Sequence, residues 1–153
     1  SQGEARDYIK AYFTRFPGIR DYMEQMKQLA REKGFVETLF GRRIYISNIK
    51  SSNAAVRGFA ERQAINAPIQ GSAADIIKRA MIKMPNMINN LNLKTKMLLQ
   101  VHDELIFETP EDEVPTAFEV IKSTMEKAHE PIISLDVPII VEGGAADSWA
   151  RAH

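Results

Sequence analysis

The 153-residue sequence predicts an α+β fold, with helices packed on a small antiparallel sheet. Three observations carry that reading. Apolar residues recur at helical spacing in several stretches, as at Tyr8, Ile9, Tyr12 and Phe13 and again at Ile76, Ile77, Ala80, Met81 and Met84. Two pairs of short strand-like segments are each joined by a brief turn: Phe35 to Leu39 with Arg43 to Ile46, and Lys96 to Val101 with Leu105 to Glu108. No repeat, low-complexity tract or long linker divides the chain, and an apolar content of 44% suffices to bury a core.

Taken in order, the first helix runs from Gln2 to about Arg15. Ser1-Gln2-Gly3-Glu4 reads as a capping box, which, in a chain that opens on Ser rather than Met, suggests a piece cut from something longer. Phe16-Pro17-Gly18 turns the chain into a second helix that stops at Gly34. Phe40-Gly41-Arg42 closes the first hairpin, and the polar stretch Asn48 to Asn53 is a loop. Ser52 or Asn53 caps a third helix running to about Ala67, where Pro68 removes a backbone donor and ends or kinks it. Ser72 with Asp75 forms another capping box and begins a fourth helix. After the second hairpin, Thr109 and Pro110 start a helix that turns Val114, Ala117, Phe118, Ile121, Met125 and Ala128 inward. Val137 to Glu142 reads as the last strand, followed by Gly143-Gly144 and a short tail holding Trp149.

Composition excludes several classes. With no cysteine there is neither a disulfide framework nor a thiolate metal site. No apolar run approaches the roughly 18 residues of a membrane span, and no signal peptide opens the chain, so a soluble, cytoplasmic protein is expected. The formal net charge is zero, but it is unevenly spread. Between Gly41 and Lys83, eight Lys or Arg face two acids; from Asp103 to Asp147, twelve acids face two lysines. One half suits phosphates and the other cations.

The densest chemistry lies at His102-Asp103-Glu104, set between two apolar strands. Short hairpin loops favour Gly or Asn where φ must be positive; neither is present, so strain is expected. Adjacent carboxylates repel by about 1 kcal/mol at 4 Å in water and about 4 kcal/mol at the effective dielectric of a protein surface. A divalent cation relieves that repulsion, and oxygen ligands without sulfur suit Mg²⁺. A solvated acidic turn fits the spacing equally well. Arg62, Asn66 and Gln70 recur at i, i+4 and i+8 and can share one helix face, able to donate to minor-groove acceptors. An ordinary solvated face accounts for the same pattern. Arg42, Arg43 and Lys50 can neutralise backbone phosphate or simply line a solvated loop.

Two segments go further: Gln63-Ala64-Ile65-Asn66-Ala67-Pro68-Ile69-Gln70-Gly71-Ser72-Ala73-Ala74-Asp75-Ile76-Ile77-Lys78, and Leu99-Gln100-Val101-His102-Asp103-Glu104-Leu105. Both closely resemble the family A DNA polymerases of the bacterial polymerase I type, the second resembling the family's motif C. The likeness extends over Phe16-Pro17-Gly18-Ile19, Val36-Glu37-Thr38-Leu39, Gly41-Arg42-Arg43, Ser51-Ser52-Asn53 and Val137-Pro138, nearly the whole chain.

By that resemblance the chain is a C-terminal fragment: fingers helices and hairpin in 1–47, DNA-contacting helices in 48–95, and palm hairpin, helix and last strand in 96–153. Asp103 is then a palm carboxylate binding catalytic Mg²⁺, Glu104 its acidic neighbour, and His102 lies against the primer's terminal nucleotide. Arg62, Asn66 and Gln70 match residues that contact primer-template DNA. The chemistry implied is two-metal phosphoryl transfer, adding deoxynucleotides to a primer 3′-hydroxyl. The family's second palm aspartate, in a motif resembling Asp-Tyr-Ser-Gln-Ile-Glu, and its nucleotide-binding fingers helix are not found in these residues. The fragment alone is therefore expected to be inactive, its parent working in replication and repair at the bacterial nucleoid. A non-catalytic duplex-binding module is the alternative, and exposed palm strand edges suggest self-association. A phosphohydrolase built on Asp103 and Glu104 lacks a completing cluster, and no nucleophile motif accompanies His102 and Asp103.

Overall fold

The computed structural model describes residues 2–152, so the expected cap at Ser1 lies outside the described residues. The chain falls into two compact units divided between Ser72 and Ala73.

In the first unit, α1 (Gln2–Arg15) is followed by α2 (Pro17–Lys33), β1 (Phe35–Glu37), β2 (Arg43–Tyr45) and the start of α3 (Ala54–Asn90). Pro17 occupies the first turn of α2, where a missing N–H costs nothing. The helix ends where Gly34 adopts φ 78°, a left-handed conformation that glycine enters without penalty, its N–H donating to the Ala30 carbonyl at 2.9 Å. β1 and β2 pair antiparallel, Val36 opposite Ile44, around a turn in which Gly41 has φ 81°. The core is Ala30, Val36, Ile46, Ile49, Ala60 and Ala64, with Met26, Leu29, Ile44 and Ala67 packed against it. Asn53 caps α3 as expected, its Oδ1 accepting the N–H groups of Ala55 at 2.9 Å and Val56 at 3.3 Å.

One expectation fails here: α3 runs unbroken through Pro68 for 37 residues, and no new helix begins at Ser72. Pro68 leaves the Ala64 carbonyl without its helical donor, and the Ile65 carbonyl beside it accepts the Tyr22 hydroxyl at 2.9 Å, a long-range bond that local rules do not foresee. Burial pushes the Tyr22 phenol above its ordinary pKa. The Ser72 hydroxyl donates to the Pro68 carbonyl at 2.6 Å and accepts the Leu39 N–H at 2.9 Å, so it works inside the helix rather than at a cap.

In the second unit the remainder of α3 buries Ala80, Met84 and Ile88 and half-buries Ile76, Ile77 and Met81. β3 (Lys96–Val101) pairs antiparallel with β4 (Glu104–Glu108), with a bulge between Met97 and Leu99. A 3₁₀ turn at Glu111–Glu113 leads into α4 (Val114–Glu126), which starts a turn later than Thr109 and Pro110 suggest. Ala117 and, just past the helix, Ala128 are buried as expected. Glu113 ties this turn to the start of β3: its carboxylate accepts the N–H groups of Lys94 at 2.8 Å and Thr95 at 3.1 Å and the Thr95 hydroxyl at 3.1 Å. Arg79 and Lys83 donate from α3 to carbonyls beyond α4, Arg79 Nε to Ala128 at 2.9 Å and Lys83 Nζ to Glu130 at 2.9 Å.

The expected strand at Val137 to Glu142 does not form. A strand exists only with a ladder partner, and none of the described residues supplies one; Val137 and Ile140 stay exposed. Within the segment, the Val141 N–H donates to Glu126 Oε1 at 3.1 Å, and Ile139 and Val141 are half-buried. The result is a mixed fold of helices with two small antiparallel hairpins.

Candidate functional site

The turn between β3 and β4 is tighter than three intervening residues suggest. Val101 pairs with Glu104, leaving a two-residue loop of His102 and Asp103, with Glu104 already on the strand. His102 sits at φ 53°, and Asp103 does not share the positive φ. A positive φ at the first loop position is a feature of the primed hairpin turns, which favour Gly or Asn there. Placing a side chain there costs about 1–2 kcal/mol. The strain expected from sequence is present, and it falls on the residue before the carboxylate.

All three side chains of His102, Asp103 and Glu104 are exposed. The loop is braced from its own strand: Gln100 Nε2 donates to the His102 carbonyl at 2.8 Å. Asp103 has no ion pair among the described residues, and no group of three His, Asp or Glu converges on a potential cation among them. The donor set suits a hard cation that keeps several waters, as Mg²⁺ does, and one protein carboxylate pair supplies only part of its shell.

The basic residues lie in the first unit. Because α3 is continuous, Arg62, Asn66 and Gln70 share an exposed face along successive turns, and they line an open groove of about 520 Å³. Phe59, one turn earlier and 63% exposed, continues the same row. Sequence reasoning missed Phe59; its spacing of three before Arg62 was the available signal. The groove floor includes Ile44 and Gly71. Arg42 turns toward it, its Nη2 donating to the Gly71 carbonyl at 3.0 Å. Arg43 points elsewhere, held by Glu37 at 3.1 Å and stacked over the Phe35 ring at 4.7 Å. Lys50 is exposed on the loop before α3. A second shallow hollow of about 700 Å³ along α1 carries Asp7, Lys10 and Arg15, of mixed charge and without a convergent group.

The sequence profile of DNA polymerase family A matches residues 1–151. The DNA polymerase I of Rhizobium leguminosarum is 57% identical over 99% of this chain, and that of Pseudomonas aeruginosa 50% identical over 98%. The chain spans only 15% and 16% of the length of these two relatives. Among solved structures, the POL domain of Pol1 from M. smegmatis, in complex with DNA primer-template and dNTP, superposes with a TM-score of 0.92 at 45% identity. It covers 99% of this chain, which corresponds to 26% of that domain. A profile spanning nearly every residue, with relatives near half identity, leaves one assignment: the chain belongs to DNA polymerase family A.

Proposed function

We propose that this chain is the segment of a template-directed DNA polymerase that presents one metal-binding carboxylate and one face of the duplex-binding groove. The observation that carries the reading is the β3–β4 hairpin: a motif C-like sequence folded so that Asp103 stands exposed, without an ion pair among the described residues, at the tip of a strained two-residue loop. In this reading Asp103 holds a divalent cation, Mg²⁺ by the chemistry of its oxygen donors. Such a cation, when bound, neutralises charge on the reacting phosphates and favours ionisation of a primer 3′-hydroxyl. Glu104, the next residue along the chain, adds negative potential beside it. His102 projects from the loop to meet the primer end.

Arg62, Asn66 and Gln70 donate along α3 to a duplex, and a minor groove, where every base pair offers an acceptor, admits such contacts whatever the sequence. Lys50 supplies charge toward the phosphates, with Arg42 and Arg43 contributing what their protein contacts leave open. The implied partners are primer-template DNA and an incoming deoxynucleotide, in replication and repair at the nucleoid of a bacterial cytoplasm. Residues 1–47 would belong to the fingers, 48–95 to the duplex-contacting helices and 96–153 to the palm. A single carboxylate doublet supplies too little charge to hold two divalent ions, so these 153 residues by themselves are not expected to extend a primer. A non-catalytic duplex-binding module needs the groove alone and gives Asp103 no task; self-association through β3 and β4 has no observation in its favour. Primer extension by the full-length polymerase with and without Asp103→Asn tests the proposal, because only the catalytic reading makes synthesis depend on that carboxylate.

A further inference from the structure

We propose that Phe59 stacks on an unpaired template base at the primer-template junction, adding a single-strand contact to the duplex-binding face of α3. The proposal rests on the polymerase reading above and deepens it, because that reading uses only the donors Arg62, Asn66 and Gln70 of this face.

Phe59 is held outward by what anchors the helix. Ala60 is 1% exposed and Ala64 is fully buried, both in the core of the first unit, so α3 is fixed in rotation and Phe59 cannot turn inward. The residue is 63% exposed, and its ring makes no contact with another ring among the described residues. A single exposed apolar side chain is ordinary, but this one lines the same groove as three hydrogen-bond donors. An α-helix rises about 1.5 Å per residue, so Arg62 to Gln70 spans about 12 Å, roughly three to four base steps of about 3.4 Å. Phe59 stands about 4.5 Å beyond Arg62, roughly one base step past the last donor.

The change from donors to a ring identifies what lies there. Base faces in a duplex are covered by their neighbours, so a side chain meets only edges and sugars, and a phenyl ring has no donor for those edges. An unpaired base offers its face. An aromatic ring in a basic groove is the arrangement that holds single strands, and primer-template DNA has a single strand only in the template ahead of the primer. The charge at this end of α3 fits the same occupant. Arg62 lies back along the helix, its Nη1 3.7 Å from where a Cβ on Gly58 would stand, beside the turn that carries Phe59. Lys50, exposed on the loop before α3, lies at the same end of the helix. Both can meet the phosphates that flank a stacked base.

The test measures Kd of the full-length polymerase bearing this segment for two DNAs at one salt concentration: a duplex ending flush, and the same duplex with a 5′ template overhang. Phe59→Ala should weaken binding of the overhang DNA about tenfold and leave the flush duplex unchanged. Phe59→Trp should keep the overhang affinity, and Phe59→Leu, apolar without a flat face, should not. A thymine at the first unpaired template position should be shielded from permanganate, which attacks its 5,6 double bond from the face, by the parent and by Phe59→Trp but not by Phe59→Ala. Equal weakening of both DNAs by Phe59→Ala, no weakening of either, or a Phe59→Leu enzyme that binds the overhang like the parent would overturn the proposal. Arg62→Ala is the reference. If it leaves the flush duplex bound as tightly as the parent does, the groove reading fails; if it weakens that duplex while Phe59→Ala keeps the overhang affinity, only the present proposal fails.

Discussion

Replacing Gly71 by alanine probes how the groove is built. A Cβ at this position would stand 2.7 Å from Thr38 Cγ2 and 2.9 Å from Ile44 Cδ1, with Arg42 Nη2 at 3.3 Å. Carbon atoms pack at about 3.5–4.0 Å, so two methyl groups of the β1–β2 hairpin would each have to retreat by more than half an ångström. Thr38 is 5% exposed and has little room to do so. Overpacking of this kind costs about 1–3 kcal/mol, and weakening the Arg42 bond to the Gly71 carbonyl adds about 1 kcal/mol. Against this, alanine gains about 1 kcal/mol of helix propensity. The balance is a loss of about 2 kcal/mol, or roughly 4–8 °C in Tm for a chain of this size. Gly58, in the same helix, is the control: an added Cβ meets only the flexible Arg62 Nη1 at 3.7 Å. Gly58→Ala should therefore stabilise by about 1 kcal/mol. Urea or thermal unfolding followed by circular dichroism reads both. A Gly71→Ala chain as stable as the parent would refute the claim that α3 and the hairpin meet through this glycine.

Two further changes test the supports of each unit. Tyr22→Phe removes the donor to the Ile65 carbonyl beside Pro68 and should cost about 1 kcal/mol. Because the folded phenol titrates above its unfolded value of about 10, its contribution is complete below that pH and declines as pH rises toward the folded value; Tyr22→Phe should lose that alkaline decline in urea midpoints measured between pH 8 and 11. Glu113→Ala leaves the N–H groups of Lys94 and Thr95 without their carboxylate, and should cost about 2–3 kcal/mol and speed hydrogen exchange at the start of β3, while α2 amides keep their protection.

Local rules read much of this fold correctly. The Gly34 stop, the Asn53 cap and both hairpins follow from residues that act within a few positions of themselves. The errors share a cause in distance. Pro68 and Ser72 look like an end and a beginning, yet α3 continues through both, and its partners at this stretch are distant in sequence: Tyr22 is 43 positions from Ile65 and Leu39 is 33 from Ser72. Val137 to Glu142 has strand composition but no ladder partner among the described residues, and composition cannot create one. At the turn, the motif located the carboxylates, whereas the two-residue loop and the Gln100 brace depend on register, which a three-residue gap between apolar runs does not reveal. Arg42 shows the same limit: a basic loop residue by sequence, it is partly committed to the Gly71 carbonyl.

The central claim is that Asp103 is a metal-binding carboxylate of a polymerase and not an incidental surface charge. The most direct measurement is single-turnover primer extension by the full-length polymerase carrying Asp103→Asn, run beside a titration of the same enzyme with primer-template at 50 and 200 mM salt. The account predicts a loss of at least about a hundredfold in extension rate, since a charge aimed at the reacting phosphates is removed. It also predicts unchanged DNA affinity and an unchanged salt slope, because the groove residues are untouched. Near-normal extension by the Asp103→Asn enzyme, or a parallel collapse of DNA binding, would contradict it.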